Sequence, residues 1–202
     1  VSIGKNKIQK SILKGDNMKG LCNLIKKNTI IPAVRNLDDL DDALKTESPI
    51  IFLLTGSILI LEDVMPIVKQ FNKKLFINID LLEGIASDKK GIEYLARKQL
   101  CDGIISTKNN AIKTAMQENL MAVQRVFLID SNSLKSVVNF LEKTSQPDVF
   151  EILPAIAAPY FLENIGTKVC LIAGGLVTKK SETLDLFKKG IHAISTSAKN
   201  LW

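Results

Sequence analysis

Histidine is almost missing from this chain: His192 is the only one among 202 residues. A metal-dependent enzyme built on several imidazole ligands is therefore disfavoured. The three cysteines, Cys22, Cys101 and Cys170, form no C-x-x-C pair and offer no zinc site beside it. This odd, scattered set reads as reduced and mostly buried thiols, the usual state in the cytoplasm. Aromatic residues are only 5% of the chain, and an aliphatic core poor in rings suits buried parallel strands better than a β-sandwich. No apolar run approaches the roughly 18 residues of a membrane span; the longest, Ile50–Leu54, stops at Thr55 and Gly56. No charged stretch, apolar stretch and small-residue cleavage site occur in order, so a cytoplasmic protein with no secretory signal and no membrane contact is expected. No G-x-G-x-x-G follows the first apolar run and no Walker loop occurs, which counts against a nucleotide-binding doubly wound sheet.

Charge is present but uneven. The net charge is +6, and residues 1–28 carry all of it, with seven lysines against Asp16; the 20 basic and 20 acidic residues that follow cancel. Residues 1–28 read as a basic N-terminal extension, suited to nucleic acid, and 29–202 as one domain. The chain opens on Val, and Met18 is an alternative native start. On that reading residues 1–17 do not bear on function, and the arm keeps Lys19, Lys26 and Lys27.

From Thr29 onward, eight short apolar runs start near residues 29, 50, 74, 102, 122, 149, 169 and 192. Segments of helical period lie between them, at 38–47, 60–71, 88–100, 108–119, 131–144, 155–166 and 178–190. Asn36 or Asp38 caps the first, Pro66 predicts a late start or a kink in the second, Pro159 disturbs the sixth, and Gly190 stops the seventh. Eight strand–helix units predict an α/β fold, a single (β/α)₈ barrel that is small and has no inserted domain.

Ligands of such barrels sit at the C-terminal strand ends. The polar groups there are Arg35, Asn78 with Asp80, Lys108, Arg125, Glu151, the pair Gly174–Gly175, and Ser195–Thr196–Ser197. The loops after strands seven and eight form the recurrent phosphate site: glycines admit a phosphate to backbone N–H groups, hydroxyls add donors, and a short helix supplies positive potential. Side-chain alternation sets Asn78 and Asp80 on the barrel face and Leu75, Ile77 and Ile79 on the helix face. Glu151, isolated among apolar neighbours, needs a partner. Arg125 on the preceding strand pairs with it, either as an internal ion pair or beside a ligand whose hydroxyls Glu151 accepts. Asp80 is a second hydroxyl acceptor or a loop cap, and Lys108 and Arg35 are mouth cations or surface charges. His192 opens its strand and is structural.

The strings IIPAVRN, FLLTGSI, FINIDLLEGIASDKKGIEYL, DGIISTK, QRVFLIDS, PDVFEILPAI, IAGGLVTKKSE and AISTSAKNLW resemble, in this order, the glycerol uptake operon antiterminator regulatory proteins, from about residue 29 to the end. The resemblance implies a TIM-type barrel with no cofactor that binds glycerol-3-phosphate as effector and then acts on leader mRNA of glycerol-utilisation genes to prevent transcription termination. By analogy it places the phosphate at Gly174, Gly175, Thr196 and Ser197, with Ser195 beside them. The family often has His where this chain has Asn78, which keeps donor and acceptor capacity without charge. RNA would meet lysines such as Lys179, Lys180, Lys188 and Lys189, whose bland alternative is a solvated helix face, and a homodimer is a further candidate partner. The competing class is a barrel enzyme, an epimerase, lyase or aldolase on a small sugar phosphate. Against it stand the single His, the lack of a mid-strand lysine for a Schiff base, and loops too short to close over a substrate; no catalytic residue and no metal ligand is assigned.

Overall fold

The computed structural model describes residues 21–25, 29–143, 147–165 and 170–202, with the backbone alone at 140–143. Lys19, Lys26 and Lys27 of the basic arm lie outside them, as does Gly166. In chain order the elements are β1 Thr29–Val34, α1 Leu40–Lys45, β2 Ile50–Leu53, α2 Leu61–Gln70, β3 Lys74–Asn78, α3 Lys89–Lys98, β4 Gly103–Ser106, α4 Asn109–Gln117, β5 Met121–Phe127, α5 Ser131–Lys143, β6 Val149–Leu153, α6 Ala158–Ile165, β7 Leu171–Gly174, α7 Lys180–Lys188 and β8 Ala193–Thr196. Single 3₁₀ turns sit at Leu37–Asp39, Ile58–Ile60, Ala155–Ala157 and Lys199–Leu201. The strands are parallel and follow chain order around a closed barrel, β8 returning to β1 with Thr29 beside Ala193. This is the (β/α)₈ fold that the eight runs predict.

Local chemistry explains the element ends. The Asn36 side chain accepts from the Asp38 amide at 3.2 Å, starting the turn ahead of α1, and Asp88 caps α3 by accepting from Gly91 N–H at 2.8 Å. Pro66 lies inside α2, which starts five residues before it, at Leu61. Pro159 falls in the first turn of α6, where no N–H is needed.

Alternation along the strands divides the core. Leu75, Ile77 and Ile79 of the β3 segment, with Ile51, Leu53 and Ile104, pack under the helices, as do Phe150, Ile152 and Ala173 on the other flank. Ile31, Ala33, Ile50, Phe52, Phe76, Ile105, Val123, Val149 and Ile172 fill the interior. The helical residues 21–25 add Leu21 and Ile25 to this interior cluster, among residues from the strand starts, so they close the floor of the barrel.

One expectation is corrected here. Cys22 and Cys170 are not separate thiols: they form a disulfide across 148 residues, their Cα atoms 6.0 Å apart. The floor segment carries Cys22 to the start of β7, within disulfide reach. Cys101 alone is free, and it is buried. Among the described residues no helix is long and apolar enough to cross a membrane.

Candidate ligand site at the barrel mouth

Inward-facing side chains turn polar near the C-terminal strand ends. Arg125 and Glu151 stand opposite each other in the β5–β6 register, and Arg125 Nε donates to Glu151 Oε2 at 2.6 Å with both residues buried. The other oxygen, Oε1, accepts from Ser195 Oγ at 2.6 Å. Each carboxylate oxygen of Glu151 thus has a donor from the chain, which is what a buried charge requires. The guanidinium is held by Nε alone, leaving its two Nη groups without a partner among the described residues. Gly174 sits against this cluster in register with Ser195.

On the far wall Asn78 is buried, and its Oδ1 accepts from the Asp80 amide at 3.0 Å. Asp80 is a loop organiser: Oδ1 accepts from Ser106 Oγ at 2.9 Å, and Oδ2 from the amide and hydroxyl of Thr107 at 2.7 and 2.9 Å. Lys108 reaches Ser87 Oγ at 2.6 Å and stands 3.7 Å from Asp80, so it ties the loops after β3 and β4. Arg35 follows β1, exposed at the mouth.

The loops after β7 and β8 are braced against each other. Thr196, predicted to face the ligand, points to the helix side instead. Its hydroxyl donates to Val177 O at 2.8 Å and accepts from Ala198 N–H at 3.1 Å. Trp202 Nε1 donates to Thr196 O at 2.8 Å, and Asn200 Nδ2 to Thr178 O at 3.2 Å. Glu182 accepts from the Thr178 and Lys179 amides at 2.8 and 2.9 Å, and those bonds hold its carboxyl below the usual range. Between these braces Gly175 and Leu176 are both left-handed, φ 79° and 63°. Among the described residues, no hydrogen bond of the chain engages the backbone N–H of Gly175, Leu176, Val177 or Ser197. The residues after β8 enter a 3₁₀ turn at Lys199–Leu201, and the free loop amides themselves supply positive potential here. Lys199 of that turn is held by Asp39 and Asp42, which raise the lysine's pKa while that of Asp42 falls.

The chemistry of the mouth follows from which groups remain unsatisfied. Each carboxylate oxygen of the two inward acids, Asp80 and Glu151, already accepts from a donor of the chain. What remains is donor or cation: the loop amides, Ser197, the Arg125 Nη groups, Asn78 Nδ2 and Arg35. Such a set receives an oxyanion and disfavours a cation. No group of three His, Cys, Asp or Glu fit to hold a metal occurs among the described residues. His192 is half-buried at the strand start, its Nδ1 accepting from Leu171 N–H at 3.1 Å. Sequence reasoning missed Ser106, Thr107 and Asn200; Ser106 and Thr107 close the fourth run beside Lys108, and their hydroxyls were the available signal.

Residues 30–202 match the family described as glycerol-3-phosphate responsive antiterminator. Over 184 residues the chain is 33% identical to uncharacterized protein YgcP of Escherichia coli (strain K12), covering 90% of this chain and 95% of that one. It is similar to the crystal structure of a glycerol uptake operon antiterminator regulatory protein from Listeria monocytogenes, with 32% identity, 87% of this chain and 95% of that chain covered, and a TM-score of 0.80. A glycerol uptake operon antiterminator-related protein from Thermotoga maritima gives 29% identity over 87% of this chain and 98% of that chain, with a TM-score of 0.77.

Proposed function

Because this chain belongs to the glycerol-3-phosphate responsive antiterminator family, we propose that it binds glycerol-3-phosphate at the barrel mouth and, so loaded, acts on leader mRNA in the cytoplasm. The observation that carries the ligand reading is the set of free amides at Gly175, Leu176, Val177 and Ser197, beside a mouth whose own acids are already satisfied. The phosphate takes these amides and the Ser197 hydroxyl. The glycerol hydroxyls meet Asn78 Nδ2 and the Arg125 Nη groups, with Glu151 and Asp80 holding the walls rather than accepting first. Thr196, Asn200 and Trp202 tie the two loops, so occupancy of the cradle fixes both at once. That ordering biases the RNA surface, for which the exposed lysines at the ends of α7 are the candidates.

The protein acts as a sensor and not as an enzyme on this reading. A thermal-shift series with glycerol-3-phosphate, glycerol, inorganic phosphate and triose phosphates tests it. Glycerol-3-phosphate at a hundred times its Kd should stabilise by about 2.7 kcal/mol, with no turnover by phosphorus NMR. Gly175→Asp should abolish the shift, because a carboxylate would enter the cradle and a left-handed position would lose its glycine. An unchanged shift in that variant removes the phosphate from these loops, and turnover of a sugar phosphate removes the sensor reading.

A further inference from the structure

The floor of the barrel carries bases that nothing in the chain neutralises. Helices α1, α2, α3 and α7 end there, and they follow β1, β2, β3 and β7. Those strands lie side by side in the closed barrel, with β8 between β7 and β1, so the four helix ends form one half-ring. Lys45, Lys69, Lys98, Lys188 and Lys189 stand at or just past these ends, all exposed. Among the described residues no ion pair holds any of the five. Lys74 and Arg97 complete the half-ring, each shared with an acid, Asp102 and Glu93; Glu47 and Asp185 are its remaining acids. The helix dipole favours a base in a last turn, but it does not account for the pattern. On the other half of the floor α4 and α6 end without one.

Two further observations point to the same end. Residues 1–28 carry the whole net charge of +6, and within them 21–25 lie on the floor, where Leu21 and Ile25 pack among the strand starts. Phe71, just past α2, is 47% exposed and offers a ring two residues from Lys69. The mouth is different. Asp38, Asp41, Glu62, Asp63 and Glu83 are exposed there, and Lys90, Lys108 and Lys199 are each in an ion pair. Arg35, Lys89, Lys179 and Lys180 are its unpaired bases, and the acids of that face outnumber the bases.

We infer that RNA lies on the floor of the barrel, along the half-ring from α7 to α3, at the end opposite the ligand site. This rests on the RNA half of the proposed function and assigns that partner a surface. Unpaired lysines release counterions when they meet a phosphate backbone, and a base freed from its stack lies on the Phe71 ring. The exposed acids of the mouth repel the same backbone, which leaves that face to the small ligand. Of the α7 lysines, Lys188 and Lys189 belong to RNA, and Lys179 and Lys180 do not. The two surfaces are joined by β7 and β8, four residues each, a span of about 13 Å. At the floor Cys22–Cys170 ties the start of β7 to segment 21–25, and Lys188 and Lys189 lead into β8. At the other end the same strands carry the phosphate loops.

The test is filter binding of the full chain, with glycerol-3-phosphate present, to a leader transcript that carries a terminator hairpin, repeated across a salt series. Lys188→Glu with Lys189→Glu, and separately Lys69→Glu with Lys98→Glu, should each weaken binding by roughly tenfold or more. Each pair should also lower the slope of log affinity against log salt by roughly 0.7–0.9 per lysine. Phe71→Ala should weaken binding roughly tenfold at an unchanged slope. Lys89→Glu with Lys135→Glu makes the same change of charge on exposed residues outside the half-ring and should cost less than about threefold. Circular dichroism checks that each variant folds, and Lys→Gln at the same positions replaces a pair that does not. Floor variants that bind as the wild type does overturn the proposal, as does an equal loss in the Lys89 and Lys135 variant; in both cases the RNA reading stands. A wild type that binds no transcript at any salt removes the RNA reading and this surface with it.

Discussion

A methyl group at position 174 would lie 2.6 Å from Ser195 Oγ and 3.0 Å from Glu151 Oε1. Gly174 is therefore a packing glycine that makes room for the Ser195–Glu151–Arg125 chain. Gly175, at φ 79° with ordinary clearance to Leu153, is a conformational one. The two glycines fail differently when replaced. Gly174→Ala should destabilise the fold by about 1–3 kcal/mol, read by urea denaturation. Combining it with Ser195→Gly should recover part of that loss, because the clashing hydroxyl goes too and the two sites are coupled. Strictly additive losses would mean the clash is relieved elsewhere. Lys73 illustrates the same economy of space: buried, it donates to Thr46 O and Ser48 O, each at 2.5 Å, and its pKa is lowered by desolvation.

Among the elements, the floor and β7 are joined by Cys22–Cys170, while Cys101 is buried, with desolvation first and Asp102 second pushing its thiol from 9.0 up to about 12. Thiol titration with Ellman's reagent should find one thiol in denatured unreduced protein, three after reduction, and none in the folded unreduced chain. Three thiols before reduction would break the pairing. Because the folded thiol binds its proton more tightly than the unfolded one, Cys101 contributes a loss of native stability as pH rises between 9.0 and about 12. The strands and helices were legible in the sequence since hydrophobic periodicity is local, and alternation put Asn78 on the barrel face and Glu151 beside Arg125 correctly. The cysteine pairing was not legible, because its partners are 148 residues apart and meet only when 21–25 closes the floor. The satisfaction of Asp80 was hidden for a similar reason: its donors, Ser106 and Thr107, come from the next strand. The side of Thr196 was readable from the same alternation as Asn78, since in a strand Ser195 and Ser197 take the other face.

At the scale of the whole molecule, the barrel is closed below by Leu21 and Ile25, and the candidate ligand site lies on the opposite face. If occupancy of the cradle reorganises that face, glycerol-3-phosphate should change affinity for a terminator-bearing leader RNA by roughly 5–150-fold, measured by filter binding at fixed salt. Equal affinity with and without ligand would sink the coupling while leaving the binding site intact. Trp202, the only tryptophan of the chain, donates its indole N–H to Thr196 O, and the same threonine clasps Val177 and Ala198 on the loops after β7 and β8. On the proposed function, the unlabelled chain thus carries its own fluorophore beside the ligand loops: emission from this single indole should change as glycerol-3-phosphate is titrated in.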